Sequence, residues 1–138
     1  HSVKNGIEAV SSDVKHIAIH DAVRPLVSHE TLTRCFNALN EHNAVVPAIP
    51  INDSIREVHG VLNKSVDRSL YKRIQTPQCF ESTMLKEAYS KPFSPLFTDD
   101  ASVVEANDHS VFLVEGNLEN IKITSPIDLI VGESLTAK

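Results

Sequence analysis

The 138-residue sequence has little glycine, and its glycines are far apart: Gly6, Gly60, Gly116 and Gly132. Loops that bind a triphosphate usually contain several glycines, because backbone N–H groups must approach the phosphates closely. This sequence has no such loop. The chain also opens with His1 rather than Met, and apolar residues already follow a helical spacing over residues 3–10. We therefore expect the sequence to be a piece of a longer chain.

Close cysteine pairs, long apolar runs and net positive charge are also lacking. Cys35 and Cys79 form no CxxC pair, which is typical of reduced intracellular thiols. No apolar run approaches the roughly 18 residues that span a membrane, and we expect no secretory leader. The formal net charge of -5 argues against a nucleic-acid-binding protein, which needs a basic surface. The 41% of hydrophobic residues is typical of a folded globular protein, and the cysteines and the lack of a membrane span favour the cytoplasm.

The first part of the chain predicts alternating strands and helices in one domain that covers residues 1–138. Residues 15–20 and 44–49 are short apolar runs typical of buried strands. Between them, Ser28 is a good N-cap for a helix to about residue 42, with an apolar face formed by Leu32, Phe36 and Leu39. Strand–helix–strand order with short connections favours a parallel sheet with a right-handed crossover.

Residues 51–74 differ from the rest because they contain many charged and few large apolar side chains. A turn at Gly60 divides them, which predicts a projecting β-arm of two strands. A two-stranded arm is marginal on its own, so we expect a partner to cover it. A second copy of the chain, in a two-fold dimer, is the simplest partner. The alternative is a hairpin that stays in solvent.

The second part of the chain predicts polar loops between helices and short strands. Residues 75–80 are interpreted as a loop in which Pro77 keeps Thr76 extended. Helices are predicted over residues 81–89, from N-cap Thr98 to about residue 107, and from N-cap Ser125 with Pro126 at the first position. A loop is predicted over residues 91–95, and strands over residues 110–114 and 120–124.

Candidate site residues lie at predicted strand ends. The segment HDAVRP at residues 20–25 follows the first strand, so Asp21 and Arg24 lie where ligands bind in open α/β sheets. An acid there can hold a metal ion, and Arg24 or Lys122 can hold a phosphate. A structural alternative stays open for each residue: Asp21 caps a turn and pairs with Arg24, Lys122 is a surface lysine, and Thr98 only caps its helix.

Motifs spread along the chain resemble those of one known family. They are HDAVRP at residues 20–25, VDR at 66–68, QTPQCF at 75–80, TDDAS at 98–102 and NIKIT at 120–124. In this order and spacing they are similar to 2-C-methyl-D-erythritol 4-phosphate cytidylyltransferases of the non-mevalonate isoprenoid pathway. The resemblance extends from Ser2 through the C-terminal helix. It does not include the N-terminal strand and the glycine-rich, basic CTP loop with which such enzymes begin.

The resemblance implies an α/β fold, with a Rossmann-like nucleotidyltransferase sheet, helices on both faces and a projecting β-arm. It implies that Asp21 is catalytic and lies near Mg²⁺, and that Lys122 is both catalytic and substrate-binding. The other implied substrate-binding residues are Arg24, Ser54, Arg68, Thr76 and Thr98, and the implied nucleotide-binding residues are Ser2 and Ala22. Ser54 replaces the family's usual threonine, and Arg68 is implied to reach from one subunit's arm into the other subunit's site.

The implied reaction joins CTP and 2-C-methyl-D-erythritol 4-phosphate, with Mg²⁺ as cofactor, in a homodimer held by the β-arm. Its products are 4-diphosphocytidyl-2-C-methyl-D-erythritol and pyrophosphate. The attacking phosphate is already an anion, so catalysis requires positioning and charge neutralisation more than a strong base. Without the CTP loop, the 138 residues alone are expected to be inactive or nearly so.

Two alternative functions stay open. A ribitol-5-phosphate cytidylyltransferase shares the HDAxRP and TPQ segments, but it typically lacks the VDR and TDDAS patterns that this sequence contains. A non-catalytic dimerising or regulatory module of the same fold is supported only by the missing CTP loop. Neither Cys35 nor Cys79 fits a catalytic role, and His20 is interpreted as structural.

Overall fold

A computed structural model describes residues 2–92 and 94–137, and its central feature is a mixed β-sheet with helices on both faces. The helices are α1 (Ser2–Ala9), α2 (His29–Ala38), α3 (Ser82–Ser90), α4 (Asp100–Glu105) and α5 (Pro126–Thr136). The strands are β1 (His16–Ile19), β2 (Ala44–Pro50), β3 (Arg56–His59), β4 (Leu62–Ser65), β5 (Lys72–Ile74), β6 (Gln78–Glu81) and β7 (Phe112–Glu115).

Strand β2 is the centre of the main sheet, because its apolar run is buried except at its last residue, Pro50. β7 pairs with β2 in parallel, whereas β5 and β6 pair with it antiparallel. β6 also pairs antiparallel with β1, so β1 and β2 run in the same direction with β6 between them. The predicted strand–helix–strand unit is therefore present, but its two strands are not neighbours.

The core lies on both faces of the sheet, because successive residues of a strand point to opposite faces. Ala44 of β2 and Phe80 of β6 are paired, and both belong to a large apolar cluster with side chains of α1, α3 and α4. The next pair, Val45 and Cys79, packs with Cys35 of α2 in a second cluster. Cys35 and Cys79 are buried free thiols.

Two predicted helix caps are confirmed. The Ser28 hydroxyl accepts a hydrogen bond from the N–H of Thr31 and caps α2. Ser125 and Asp128 form a capping box at the start of α5, where Pro126 occupies the first turn. None of the helices in the described part of the chain is long and apolar enough to cross a membrane.

The predicted β-arm is present as a separate two-stranded sheet of β3 and β4. Gly60 has a positive φ of 60°, which glycine adopts without steric cost, in the turn between the strands. Every residue of β4 is exposed, as are most residues of β3. The arm ends earlier than predicted, because residues 72–74 form β5 and belong to the main sheet.

Three predictions for the helices need correction. α2 ends at Ala38 rather than near residue 42, and it buries Thr31 and Cys35, whereas the predicted core residue Phe36 is 49% exposed. Thr31 and Cys35 are four positions apart, so their small side chains form a stripe of α2 that faces the sheet. Asp99, not Thr98, caps α4, because Asp99 completes a capping box with Ser102.

The loops and short strands of the second half also differ from the prediction. The peptide bond between Thr76 and Pro77 is cis, and residues 78–81, predicted in part as loop, form β6 between two partner strands. Residues 120–124 form no strand, because within the described chain they pair with no neighbouring strand. Phe93, in the predicted loop 91–95, and His1 lie outside the described residues.

Candidate active site

One cavity of about 760 Å³ collects polar side chains from loops at the end of the sheet. Its charged and hydroxyl-bearing lining comprises Lys4, Asp21, Arg24, Thr76, Tyr89, Lys91, Thr98, Asp99, Asp100 and Lys122. The loop after β1 supplies Asp21, and the segment between β5 and β6 supplies Thr76. The cavity therefore joins segments that are far apart in sequence, as expected for a site built on loops at strand ends.

Asp21, Arg24 and Lys122 form a compact ionic group in this cavity. Nε of Arg24 lies 3.1 Å and Nζ of Lys122 lies 3.3 Å from Oδ2 of Asp21. Burial alone raises the pKa of Asp21, but hydrogen bonds and charge from Arg24 and Lys122 outweigh it and lower that pKa. Asp21 is therefore a carboxylate at neutral pH, and two cations converge on one of its oxygens.

Thr76 is fixed beside Asp21 by hydrogen bonds to its hydroxyl. The backbone N–H of Asp21 donates to Oγ1 of Thr76 over 3.0 Å. Nε2 of His20 lies 2.9 Å from the carbonyl oxygen of Arg24, which can only accept, so this nitrogen donates. In neutral His20, Nδ1 then accepts from the Thr76 hydroxyl at 2.8 Å. His20 thus links the loop after β1 to Thr76 and orients a hydroxyl of the cavity.

The Thr98–Asp100 segment is held against the sheet by a buried glutamine. Nε2 of Gln78 donates to Oδ2 of Asp99 over 2.9 Å, and the N–H of Ala101 donates to Oε1 of Gln78 over 2.8 Å. The Tyr89 hydroxyl donates to Asp100. Burial is the main cause that raises the pKa of Asp100 and of Tyr89. Gln78 therefore determines where Thr98 lies relative to β6.

The structure brings five of the predicted site residues into this cavity and places the other four elsewhere. Asp21, Arg24, Thr76, Thr98 and Lys122 line the cavity. Ala22 is exposed in the adjacent turn, and Ser2 is exposed at the start of α1, next to the lining residues Val3 and Lys4.

The two remaining predicted residues, Ser54 and Arg68, lie at the base of the β-arm. Both are exposed, and Arg68 donates to the carbonyl oxygen of Asn52. The described lining of the cavity includes neither of them. If either residue contacts substrate, it therefore does so from another subunit or after the arm moves.

Sequence reasoning missed the buried amides that support the site: Gln75, Gln78 and Asn120. Nε2 of Gln75 donates to the carbonyl oxygens of Asn117 and Asn120, and Nη1 of Arg24 donates to the same Asn120 oxygen over 2.8 Å. The available signal was their position, since Gln75 and Gln78 flank Thr76 and Asn120 is two residues from Lys122.

The carboxylates that line the cavity are those of Asp21, Asp99 and Asp100, and Asp99 and Asp100 are bonded to Gln78 and Tyr89. In the part of the chain that the structure describes, no group of three or more His, Cys, Asp or Glu side chains could hold a metal. A cation here would need phosphate and water oxygens as further ligands, which is how Mg²⁺ is usually bound beside nucleotides. The donor set therefore fits a metal that arrives with a phosphate ligand.

Comparison with known proteins gives the family. The family model "IspD: 2-C-methyl-D-erythritol 4-phosphate cytidylyltransferase" matches residues 1–138. The chain belongs to this family. It is 47% identical over 135 residues to the 2-C-methyl-D-erythritol 4-phosphate cytidylyltransferase of Bacteroides thetaiotaomicron and 49% identical to that of Bacteroides fragilis. In each case the match covers 98% of this chain and 61% of the relative.

Solved structures of cytidylyltransferases have the same fold. The Thermus thermophilus cytidylyltransferase matches with a TM-score of 0.85 and 34% identity, over 97% of this chain and 67% of that one. The 4-diphosphocytidyl-2C-methyl-D-erythritol synthase of Anaerococcus prevotii matches with a TM-score of 0.89 and 28% identity, over 99% and 63%. The predicted Rossmann-like nucleotidyltransferase fold is thus confirmed, and the chain spans about three fifths of the curated relatives it matches.

Proposed function

We propose that the protein transfers a cytidylyl group from CTP to 2-C-methyl-D-erythritol 4-phosphate in isoprenoid precursor biosynthesis, in the cytoplasm. The products are 4-diphosphocytidyl-2-C-methyl-D-erythritol and pyrophosphate. The observation that carries the proposal is the convergence of Arg24 and Lys122 on Asp21, in a cavity that Thr76 and Thr98 also line. The names of relatives that match nearly the whole chain support the choice of substrates.

The chemistry of the cavity suits a reaction between two phosphates. The phosphate oxygen of the polyol attacks the α-phosphorus of CTP, the bond to the β-phosphate oxygen breaks, and pyrophosphate leaves. Both reactants are anions, so the main barrier is their repulsion and the charge that develops around phosphorus. Lys122 and Arg24 would reduce this repulsion, and the low pKa of Asp21 keeps its carboxylate ionised as their counter-charge.

Mg²⁺ is the cofactor that the donor set fits, and Asp21 would hold it. The carboxylate of Asp21, which already contacts Arg24 and Lys122, would hold the metal together with phosphate oxygens. The metal would add charge neutralisation at the phosphates. In Asp21→Asn, we expect half-maximal activity to need more Mg²⁺. An unchanged Mg²⁺ requirement would remove Asp21 from this role.

The β-arm is the proposed contact between two subunits of a homodimer. Val61, Leu62 and Leu70 are 96%, 73% and 79% exposed, so the arm offers apolar side chains that a partner would bury. Ser54 and Arg68 lie at the base of this arm, outside the described lining of their own subunit's cavity. Both observations support the proposal that these two residues act in the partner's site.

Activity assays on the protein in its full natural length test the function. We expect CTP-dependent release of pyrophosphate with 2-C-methyl-D-erythritol 4-phosphate, and little with ribitol 5-phosphate. Turnover of ribitol 5-phosphate alone would favour the sibling enzyme, and no turnover of either polyol phosphate would favour a non-catalytic module. The 138-residue chain spans about three fifths of its relatives, so we expect it to be inactive or nearly so when it is assayed in parallel.

Mixed dimers test the cross-subunit role of Arg68. Arg68→Ala and Lys122→Ala proteins are each expected to be weakly active. If Arg68 acts in the partner's site, a mixed dimer contains one site with both residues intact. Random mixing of equal amounts of the two weakly active proteins should then restore about one quarter of wild-type activity. No recovery, after mass spectrometry has shown that mixed dimers form, would mean that Arg68 acts within its own subunit.

A further inference from the structure

Asn120 is a buried residue that contacts several parts of the cavity wall at once. It has no exposed surface, and its Nδ2 donates to the carbonyl oxygen of Thr76 over 2.8 Å. Its own carbonyl oxygen accepts from Nη1 of Arg24 at 2.8 Å and from Nε2 of Gln75 at 3.2 Å. Lys122 follows two residues later. A shift of Asn120 would therefore move Thr76, Arg24 and Lys122 relative to one another.

The orientation of the Asn120 amide follows from its neighbour. The Thr76 carbonyl oxygen can only accept, so the amide nitrogen must face it. This leaves Oδ1 of Asn120 buried without a hydrogen-bond partner within the described residues. A buried amide oxygen without a partner opposes folding, so good packing alone does not explain an asparagine here. What the amide provides is the donor that holds Thr76.

The hydrogen bond from Nδ2 of Asn120 matters because of the other contacts that Thr76 makes. Its hydroxyl is already bound by Asp21 and His20, on the loop after β1. The bond from Asn120 fixes the carbonyl of the same residue from the opposite segment of the chain. Thr76 is thus held between the segment that carries Asp21 and the segment that carries Lys122. The distance between these two charged groups depends on both attachments.

We propose that Asn120 is a positioning residue for the polyol-phosphate side of the site, where it sets the spacing of Thr76, Arg24 and Lys122. The inference rests on the proposed function, because it assigns these three side chains to the substrate. Asn120 itself contacts no reacting atom. Loss of the Asn120 side chain should therefore reduce the use of the polyol phosphate more than the use of CTP.

Asn120→Asp is the sharpest test, because it keeps the size of the side chain and replaces the donor by an oxygen facing the Thr76 carbonyl. In the full-length protein, we expect kcat/KM for the polyol phosphate to fall on the order of 10- to 100-fold, with KM for CTP changed less than about twofold. Asn120→Ala, which removes the donor without adding charge, should give the same pattern.

Asn107→Asp is the matched control. Asn107 also donates from Nδ2 to a backbone carbonyl, that of Val103 over 2.7 Å, and it also has a buried Oδ1 without a partner among the described residues. It lies beyond the C-terminal end of α4, away from Thr98. We expect Asn107→Asp to reduce thermal stability without selective loss of polyol-phosphate use. If the two aspartate variants have the same kinetic constants relative to wild type, the inference is wrong.

A readout that needs no turnover separates this inference from the proposed function. NMR signals of the Thr76 methyl group and the Lys122 side chain should move in Asn120→Ala and stay in place in Asn107→Ala. Unmoved signals would overturn the positioning role even in an active enzyme. Moved signals in a protein that turns over no polyol phosphate would support the positioning role and reject the proposed substrate.

Discussion

The predicted site residues of the cavity wall are fixed by hydrogen bonds to distant segments, whereas those of the β-arm are exposed. In the wall, Asp21 and Thr76 are bonded to each other and to residues from distant segments. In the arm, Ser54 and Arg68 are exposed, and the strands next to them belong to a sheet of only two strands. The wall can hold its geometry in one subunit. The arm has fewer such attachments among the described residues, which is why we propose that a partner subunit covers it.

This difference separates two kinds of functional residue. Groups that must hold fixed distances from a phosphate are attached to buried amides and to the sheet, as Arg24 is attached to Asn120. Groups that come from a neighbouring subunit need only be placed on a segment that reaches it. Changes in the wall should therefore alter chemistry or stability within one subunit, and changes in the arm should alter assembly.

The largest effect is expected from Lys122→Ala in the wall. Loss of one preorganised charge at a developing anion typically costs on the order of 10²- to 10³-fold in turnover. We expect a loss of this size in kcat with 2-C-methyl-D-erythritol 4-phosphate, measured by pyrophosphate release. Lys86→Ala is the control, because Lys86 contacts the Val10 and Ser11 carbonyls outside the described cavity lining. Equal losses in both variants would contradict a special role for Lys122.

Gly116→Ala should have the next largest effect, on stability. A Cβ atom at Gly116 would lie 2.0 Å from Oε1 of Gln75, a buried side chain that is bonded to the loop before Lys122. We expect the free energy of unfolding to fall by about 1–3 kcal/mol, measured by urea denaturation. Gly6→Ala is the control: its Cβ would meet nothing within 4 Å, and alanine favours helix α1. A neutral Gly116→Ala would show that the wall is not tightly packed.

A smaller, pH-dependent effect is expected for Asp21. Its pKa is lowered in the folded protein, so its ionic bonds add stability above the unfolded pKa of about 3.8. This contribution is lost as the pH falls through the lower folded pKa. The stability difference between wild type and Asp21→Asn should therefore be largest near neutral pH and shrink below about pH 4. A difference that grows with acid would contradict the assigned ion pairs.

The smallest effect on the stability of one subunit is expected from the arm. Leu62→Gln replaces a 73% exposed side chain, so the free energy of unfolding of the subunit should change by less than about 0.5 kcal/mol. Sedimentation should nevertheless show weaker dimerisation. Leu85→Ala, in the core, should lower the free energy of unfolding of the subunit by about 2–5 kcal/mol. An unchanged dimer in Leu62→Gln would separate the arm from the subunit contact.

Local chemistry explains which parts of the fold could be predicted from sequence. The caps at Ser28 and Ser125 depend on hydrogen bonds within three residues, so sequence spacing was sufficient to find them. The N-cap of α4 was predicted at Thr98 but is Asp99, because threonine and aspartate both suit an N-cap and the sequence does not distinguish them. β6 was missed because its strand conformation depends on pairing with β1 and β2, which no local pattern indicates.

The same distinction applies to the site. Asp21, Arg24 and Lys122 could be chosen as candidates by charge and by their place next to apolar runs, and the structure brings them together. Gln78 and Asn120 have no such mark, because an amide gains its role only from the carbonyl or carboxylate that folding puts beside it. Their position beside Thr76 and Lys122 made them candidates, but the three-dimensional contacts were needed to show which groups they hold.

The hydroxyl of Thr76 has a directional consequence for any ligand. A threonine hydroxyl has a single proton. When Nδ1 of His20 accepts that proton, one lone pair of the hydroxyl still accepts from the N–H of Asp21. Only a lone pair is left for a ligand. A ligand group that donates a hydrogen bond therefore suits this hydroxyl better than one that can only accept.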